Sequence, residues 1–129
     1  MRSENKHFPK EELEKIDAAD DLLISPFRAD GKTYGTPTLI WSVVVNGNLY
    51  VRAYNGVHSR WYQSALKQHA GRIKAAGKII GVAFEPVVGA INSAIDEAYK
   101  KKYNGSPYLF PMINETAKAA TVRVIPINE

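Results

Sequence analysis

Thr38 to Val45 and Leu49 to Tyr54 are runs of β-branched, aromatic and other apolar residues on either side of Asn46-Gly47-Asn48, a pattern that predicts a β-hairpin. Either Asn46-Gly47 or Gly47-Asn48 serves as a two-residue turn, and the register differs between them by an even number. The same residues therefore share a face in both cases. Ile40, Ser42, Val44, Leu49, Val51 and Ala53 form a face of small and medium side chains suited to a barrel interior. Leu39, Trp41, Val43, Val45, Tyr50, Arg52 and Tyr54 form the other, which mixes aromatics with one arginine.

The rest of the chain is legible in the same way. Pro9, followed by Lys10-Glu11-Glu12, reads as a helix start, with Leu13 and Ile16 as a narrow apolar stripe. Leu22 to Arg28 reads as a strand that ends near Pro26, and Asp30-Gly31 is a turn. Ser59 is placed to cap a helix running to about Gln68, with Tyr62, Ala65 and Leu66 at helical spacing and Gly71 as its stop. Arg72 to Ala75 and Lys78 to Glu85 predict a second hairpin turning at Ala76-Gly77. Ile91, Ile95, Ala98 and Tyr99 mark a further helix, whose C-terminal end suits Lys100-Lys101-Lys102 and whose stop is Asn104-Gly105. Pro107 to Ala117 reads as a loop or a short turn of helix, and Ala120 to Ile127 as a closing strand. Six short strands and about three helices, in the order α-β-β-β-α-β-β-α-β, suggest one mainly β (α+β) domain over residues 1–129. The expected form is a small barrel with helices outside and residues 1–8 as a flexible N-terminus. No G-x-G-x-x-G or P-loop pattern occurs, which argues against a nucleotide-binding doubly wound sheet.

Composition narrows the function classes. A chain that is 45% hydrophobic and 23% charged is ordinary for a folded domain, and no apolar run approaches the ~18 residues of a membrane span. Residues 1–8 hold no signal-like apolar stretch and the chain has no cysteine, so a cytoplasmic location is expected. Lys and Arg outnumber Asp and Glu by 17 to 13, and the acids cluster between Glu11 and Asp21, which leaves the remainder basic enough for an anionic partner. No nucleic-acid motif or interleaved aromatic platform accompanies that charge, so a nucleic-acid partner is not expected.

The segment after the hairpin carries the candidate chemistry. Asn55, Gly56, His58, Ser59 and Arg60 lie where a helix N-terminus presents unpaired N–H groups to a negative group such as phosphate. Arg52, the only charge in its strand, either joins Arg60 on that phosphate or lies over Trp41 or Tyr54 in a cation–π contact. Trp61 and Tyr62 either line a flat ligand or pack against the barrel. Arg28 and Lys32 bracket an exposed turn and could reach an acidic ligand. His7, His58 and His69 have no metal-ligand spacing, and no serine sits in a nucleophile elbow. Asp20-Asp21 and Asp96-Glu97 are sequence neighbours and read as solvated surface rather than acid–base pairs.

Several stretches resemble a small bacterial domain family of unknown function, itself similar to the flavin- and deazaflavin-binding split β-barrels of pyridoxamine-oxidase and deazaflavin-dependent nitroreductase type. They are L-L-I-S-P-F-R-A-D-G at 22–31, L-Y-V-R at 49–52, R-W-Y at 60–62, G-R-I-K-A-A-G at 71–77, A-I-D-E-A-Y-K-K-K-Y at 94–103 and T-V-R-V-I-P at 121–126. The resemblance implies a six-stranded split β-barrel and a homodimer. It also implies FMN or a deazaflavin between subunits, with its phosphate where the strand after the hairpin meets the helix. Flavin-binding members carry S-R-K there; Ser59 and Arg60 match, while Trp61 replaces the lysine and is similar to the deazaflavin branch. On this basis Arg52, Asn55, Gly56, His58, Ser59 and Arg60 are the expected phosphate grip, and Trp41, Tyr54 and Trp61 the ring wall. The expected activity is a cofactor-borne oxidoreduction of a small molecule. The alternatives are a cofactor-free dimeric module for another anionic ligand and, by analogy of fold alone, haem on His58 or His69.

Overall fold

In the computed structural model, which describes residues 7–127, the hairpin forms with Val45 opposite Asn48. Asn46 and Gly47 both take positive φ, at 52° and 79°, so the turn is the Asn-Gly pair whose twist matches that of the flanking strands. Ala76 and Gly77 do the same for the second hairpin, at 51° and 79°. The strands are β1 (Leu22–Pro26), β2 (Thr38–Ile40), β3 (Ser42–Val45), β4 (Asn48–Arg52), β5 (Ala70–Ala75), β6 (Lys78–Pro86) and β7 (Thr121–Pro126). They form one antiparallel sheet in the order β2-β1-β5-β6-β7-β4-β3.

The two edges of that sheet, β2 and β3, are consecutive in the chain. Only Trp41 separates them, so the sheet curls into a nearly closed barrel. The expected count was six strands, and the seventh arises from this break: residues 38–40 pair with β1, residues 42–45 with β4. The break is held from outside. The Trp41 ring stacks on Tyr103 at 3.8 Å and 2°, and the Trp41 carbonyl accepts from the Tyr99 hydroxyl at 3.4 Å.

Among the described residues five α-helices surround the barrel: α1 (Lys10–Ala18), α2 (Arg60–Gln68), α3 (Ile91–Lys102), α4 (Leu109–Ile113) and α5 (Glu115–Lys118). The two short ones occupy the segment that reads as a loop or a short turn of helix. Pro111 fits the first turn of α4, where its missing N–H has no helical acceptor to lose, and Asn114 caps α5 by accepting from Ala117 N at 3.0 Å. Gly71 is not the stop of α2; His69 is, in the left-handed conformation at φ 60°.

The two faces of the hairpin go where the alternation puts them. Leu49, Val51 and Ala53 join Ile24, Ile73, Val82 and Val122 inside the barrel. Val43 and Tyr50 pack outside it against Ile95, Tyr99, Tyr103 and Met112. Phe8, expected in a flexible N-terminus, is instead buried in the barrel cluster with Leu13 and Ile16; residues 1–6 lie outside the described residues.

Burial pushes the Tyr99 and Tyr103 phenols above their usual value of 10.0. The unfolded chain then ionises first, so the stability these groups contribute is intact below pH 10 and is lost as pH rises beyond it. Alkaline titration followed by tyrosinate absorbance and circular dichroism should show ionisation of these two phenols coinciding with unfolding. Smooth titration of all tyrosines in a folded protein would contradict this.

Candidate functional site

The segment after β4 turns through a 3-10 helix at Gly56–His58 before α2 begins. Gly56 takes φ 77°, and a Cβ there would lie 2.7 Å from Thr116 Cγ2 and 3.0 Å from the Thr116 carbonyl. Its N–H donates to the Ala53 carbonyl at 2.9 Å. Gly56 is therefore a packing residue under α5, with no amide left for a ligand. His58 is exposed and lines no cavity of this groove.

Ser59 occupies the cap position of α2 with extended backbone, and its carbonyl accepts from Gln63 N at 3.0 Å. Its hydroxyl makes no capping bond. The amides of Arg60, Trp61 and Tyr62, which precede the first helical hydrogen bond, thus lack a side-chain acceptor from the cap. This end of the helix opens on a depression of about 290 Å³ lined by Thr38, Leu39, Tyr54, Asn55, Ser59, Arg60 and Trp61. Arg60 is exposed and has no ion pair among the described residues.

Leu39, Ile40 and Tyr54 also wall a second, more apolar cleft of about 240 Å³, completed by Trp41, Arg52, Tyr108 and Met112. The two depressions are one groove along β2, apolar at the α4 end and polar at the α2 end. Of the nine sequence-derived site residues, Trp41, Arg52, Tyr54, Asn55, Ser59, Arg60 and Trp61 line it, and Gly56 and His58 do not. Trp61 contributes little free surface. It is 7% exposed and packs edge-on to Tyr62 in the barrel cluster. The lining residues that sequence reasoning passed over are Thr38, Leu39 and Ile40, at the strand break, and Tyr108 and Met112. The last two lie in an apolar Tyr-Leu-Phe-Pro-Met-Ile run whose hydrophobicity is unusual for a loop.

Arg52 reaches the groove only as part of its floor. It is fully buried, and a guanidinium has five N–H donors. Nε donates to Thr121 Oγ1 at 3.0 Å; Nη1 to Asp96 Oδ1 at 2.6 Å and to the Met112 carbonyl at 3.1 Å; Nη2 to Asn92 Oδ1 and the Asn92 carbonyl at 3.0 and 3.3 Å. The set of donors is used up. Its cation–π partner is Tyr99, at 5.4 Å, rather than Trp41 or Tyr54. Asp96, read from sequence as solvated, is the counter-ion and also pairs with Lys118 at 3.0 Å.

A family model described as "Uncharacterized protein conserved in bacteria (DUF2255)" matches residues 12–124. The chain belongs to this family. As a DUF2255 member it has a structural counterpart in a conserved hypothetical protein, Rv2991, from Mycobacterium tuberculosis. The TM-score is 0.58 at 14% identity, over all of this chain and 86% of that one. Such a likeness shows a shared fold. No curated protein matches the chain.

The donor set of this DUF2255 groove fits a flat ring with an anionic tail at two places and fails at two. Leu39, Tyr54, Trp41 and Tyr108 offer an apolar wall, and Arg60, Ser59, Asn55 and the first α2 amides offer donors. Arg52 and Gly56 have none to give. Among the described residues no group of His, Asp and Glu is arranged to hold a metal ion, and no helix is long and apolar enough to cross a membrane.

Proposed function

We propose that this DUF2255 protein binds a phosphorylated flavin or deazaflavin in the groove along β2, as a homodimer. The bound cofactor would supply hydride or electron transfer to a small molecule. The observation that carries the reading is the continuity of the groove: an apolar cleft opens directly onto a helix N-terminus with a free arginine. Arg60, Ser59 and Asn55 hold the anionic group, while Leu39, Trp41, Tyr54 and Tyr108 flank the ring and keep water from one face. The dimer rests on exposure. Leu39, Tyr108 and Phe110, near the apolar end, are 64%, 60% and 72% exposed, more apolar surface than a monomer gains from showing to water. A second copy would cover it and close the groove.

Fluorescence titration with FMN and with a deazaflavin, alongside light scattering for mass, tests both parts. Saturable micromolar binding of one cofactor is expected. Arg60→Ala should weaken it about 10- to 100-fold, the loss of a charge-assisted contact worth roughly 1.5–3 kcal/mol. Absence of binding by either cofactor rejects the reading, and a monomeric mass rejects the dimer.

A second reading has its own observation. Trp61 stands where the flavin-binding split barrels that the sequence resembles carry a lysine, and Arg52 is spent inside the fold, so the grip has one arginine where two were expected. That favours a cofactor-free module for another anionic small ligand, and it predicts anion binding at Arg60 without cofactor affinity.

A further inference from the structure

On the far side of Arg60 the groove continues into a third depression, of about 190 Å³, between the ends of β1 and β2 and the outer face of α2. Arg28 and Arg60 both line it, together with the hydroxyl-bearing Thr36, Thr38 and Ser64. No carboxylate does.

The local sequence builds this wall. Arg28 opens the Arg-Ala-Asp-Gly turn, and the acid of that turn is engaged by the turn itself. Asp30 Oδ1 accepts from the amides of Lys32 and Thr33 at 2.8 and 2.9 Å, and Oδ2 from Thr33 Oγ1 at 2.8 Å. These bonds, and to a smaller extent the charge of Arg28, hold its carboxyl below the usual range. Arg28 Nε donates to the Tyr34 carbonyl at 3.1 Å, which fixes the plane of the guanidinium and leaves both Nη groups without a partner among the described residues. Gly35 permits the close return of the chain: its N–H donates to the Pro26 carbonyl at 2.8 Å, and a Cβ there would lie 3.0 Å from that oxygen. Two arginines with open forks and hydroxyls between them, with the nearby Asp30 carboxylate committed to its own turn and absent from the lining, make a concave surface that gains electrostatic energy with an anion.

We propose that this pocket is an oxyanion site, in which Arg28 and Arg60 grip the carboxylate or phosphate of a small molecule and Thr36 and Ser64 supply further hydrogen bonds, the Thr38 hydroxyl donating instead to the Thr36 carbonyl at 3.3 Å. It extends the groove reading, because Arg60 stands between this pocket and the α2 end of the groove. The anion belongs either to the ligand in the groove or to a separate small acid.

The probe is inorganic phosphate, titrated into the ¹⁵N-labelled full chain in chloride buffer. Shifts should centre on residues 27–38 and 60–64. Arg28→Ala should weaken phosphate about tenfold or more, and Ser64→Ala about threefold or more. Lys74→Ala, an exposed strand lysine away from the pocket, should change it by less than about twofold. Ser64→Ala is included because Arg28→Ala also removes the tie to Tyr34. Shifts spread over the surface, or losses in the Arg28 and Ser64 variants no larger than for Lys74→Ala, overturn the proposal.

Repeating the titration with excess FMN separates the two sources. Competition means that the pocket takes the cofactor's own phosphate, and retained phosphate binding that it takes a separate acid. If FMN does not bind, the cofactor reading fails while the phosphate result still decides the pocket.

Discussion

Replacing Arg52 by alanine is expected to cost about 3–5 kcal/mol of folding stability, because it removes one partner of a buried ion pair and leaves the other groups stranded. Asn92, Thr121, the Met112 carbonyl and Asp96 all lose a donor, and a large fully buried side chain leaves a void among α3, α4 and β7. Asp96 keeps Lys118 at 3.0 Å and is 17% exposed, which moves the expected cost toward the lower end. In a chain of this size that corresponds to a fall in Tm of roughly 10–20 °C. Urea unfolding of Arg52→Ala, Asp96→Asn and the double variant measures it, and the two changes should be strongly non-additive because they break one network. If Arg52→Ala instead lost less than about 1 kcal/mol while abolishing ligand binding, the guanidinium would be a ligand grip after all.

Gly71→Ala should be comparably damaging, for a reason that involves neither charge nor φ. Gly71 pairs with Pro26 across β1 and β5, and a Cβ there would lie 2.5 Å from Pro26 Cα and closer still to the Ser25 carbonyl oxygen. Both atoms are backbone and cannot swing aside. The methyl can be placed only by opening the β1–β5 ladder, so a cost of about 3 kcal/mol or more is expected, at the upper end of overpacking effects. Gly47→Ala is the matched comparison. Its φ of 79° strains an L residue, yet nothing lies within 4 Å of its Cβ, and the expected cost is about 1 kcal/mol. Equal midpoints for the two variants in urea would show that the close approach at Gly71 carries no energy.

What the residues determine alone is local in origin. Asn46-Gly47-Asn48 and Ala76-Gly77 mark two hairpins, and strict alternation then assigns each side chain to a face whichever pair makes the first turn. The same is true of the α1 and α3 boundaries, where a proline, a charge gradient and helical spacing agree. Part of the groove was legible too: Asn55, Ser59 and Arg60 were named because a strand-to-helix junction has unpaired amides whatever surrounds it, and Tyr54 because alternation puts it on the aromatic outer face of the hairpin.

The tertiary structure alone decided the rest. It determined whether Arg52 binds a ligand or the protein, since its partners lie 40 to 69 residues away on α3, α4 and β7. It broke the second strand at Trp41, because one stretch of chain must leave the β1 edge and join the β4 edge. It gave Gly71 its purpose, which is the nearness of Pro26 rather than any turn, and it set Thr116 against Gly56, which a left-handed turn at φ 77° already requires. Periodicity records which face a residue takes; only the folded chain records what stands opposite it.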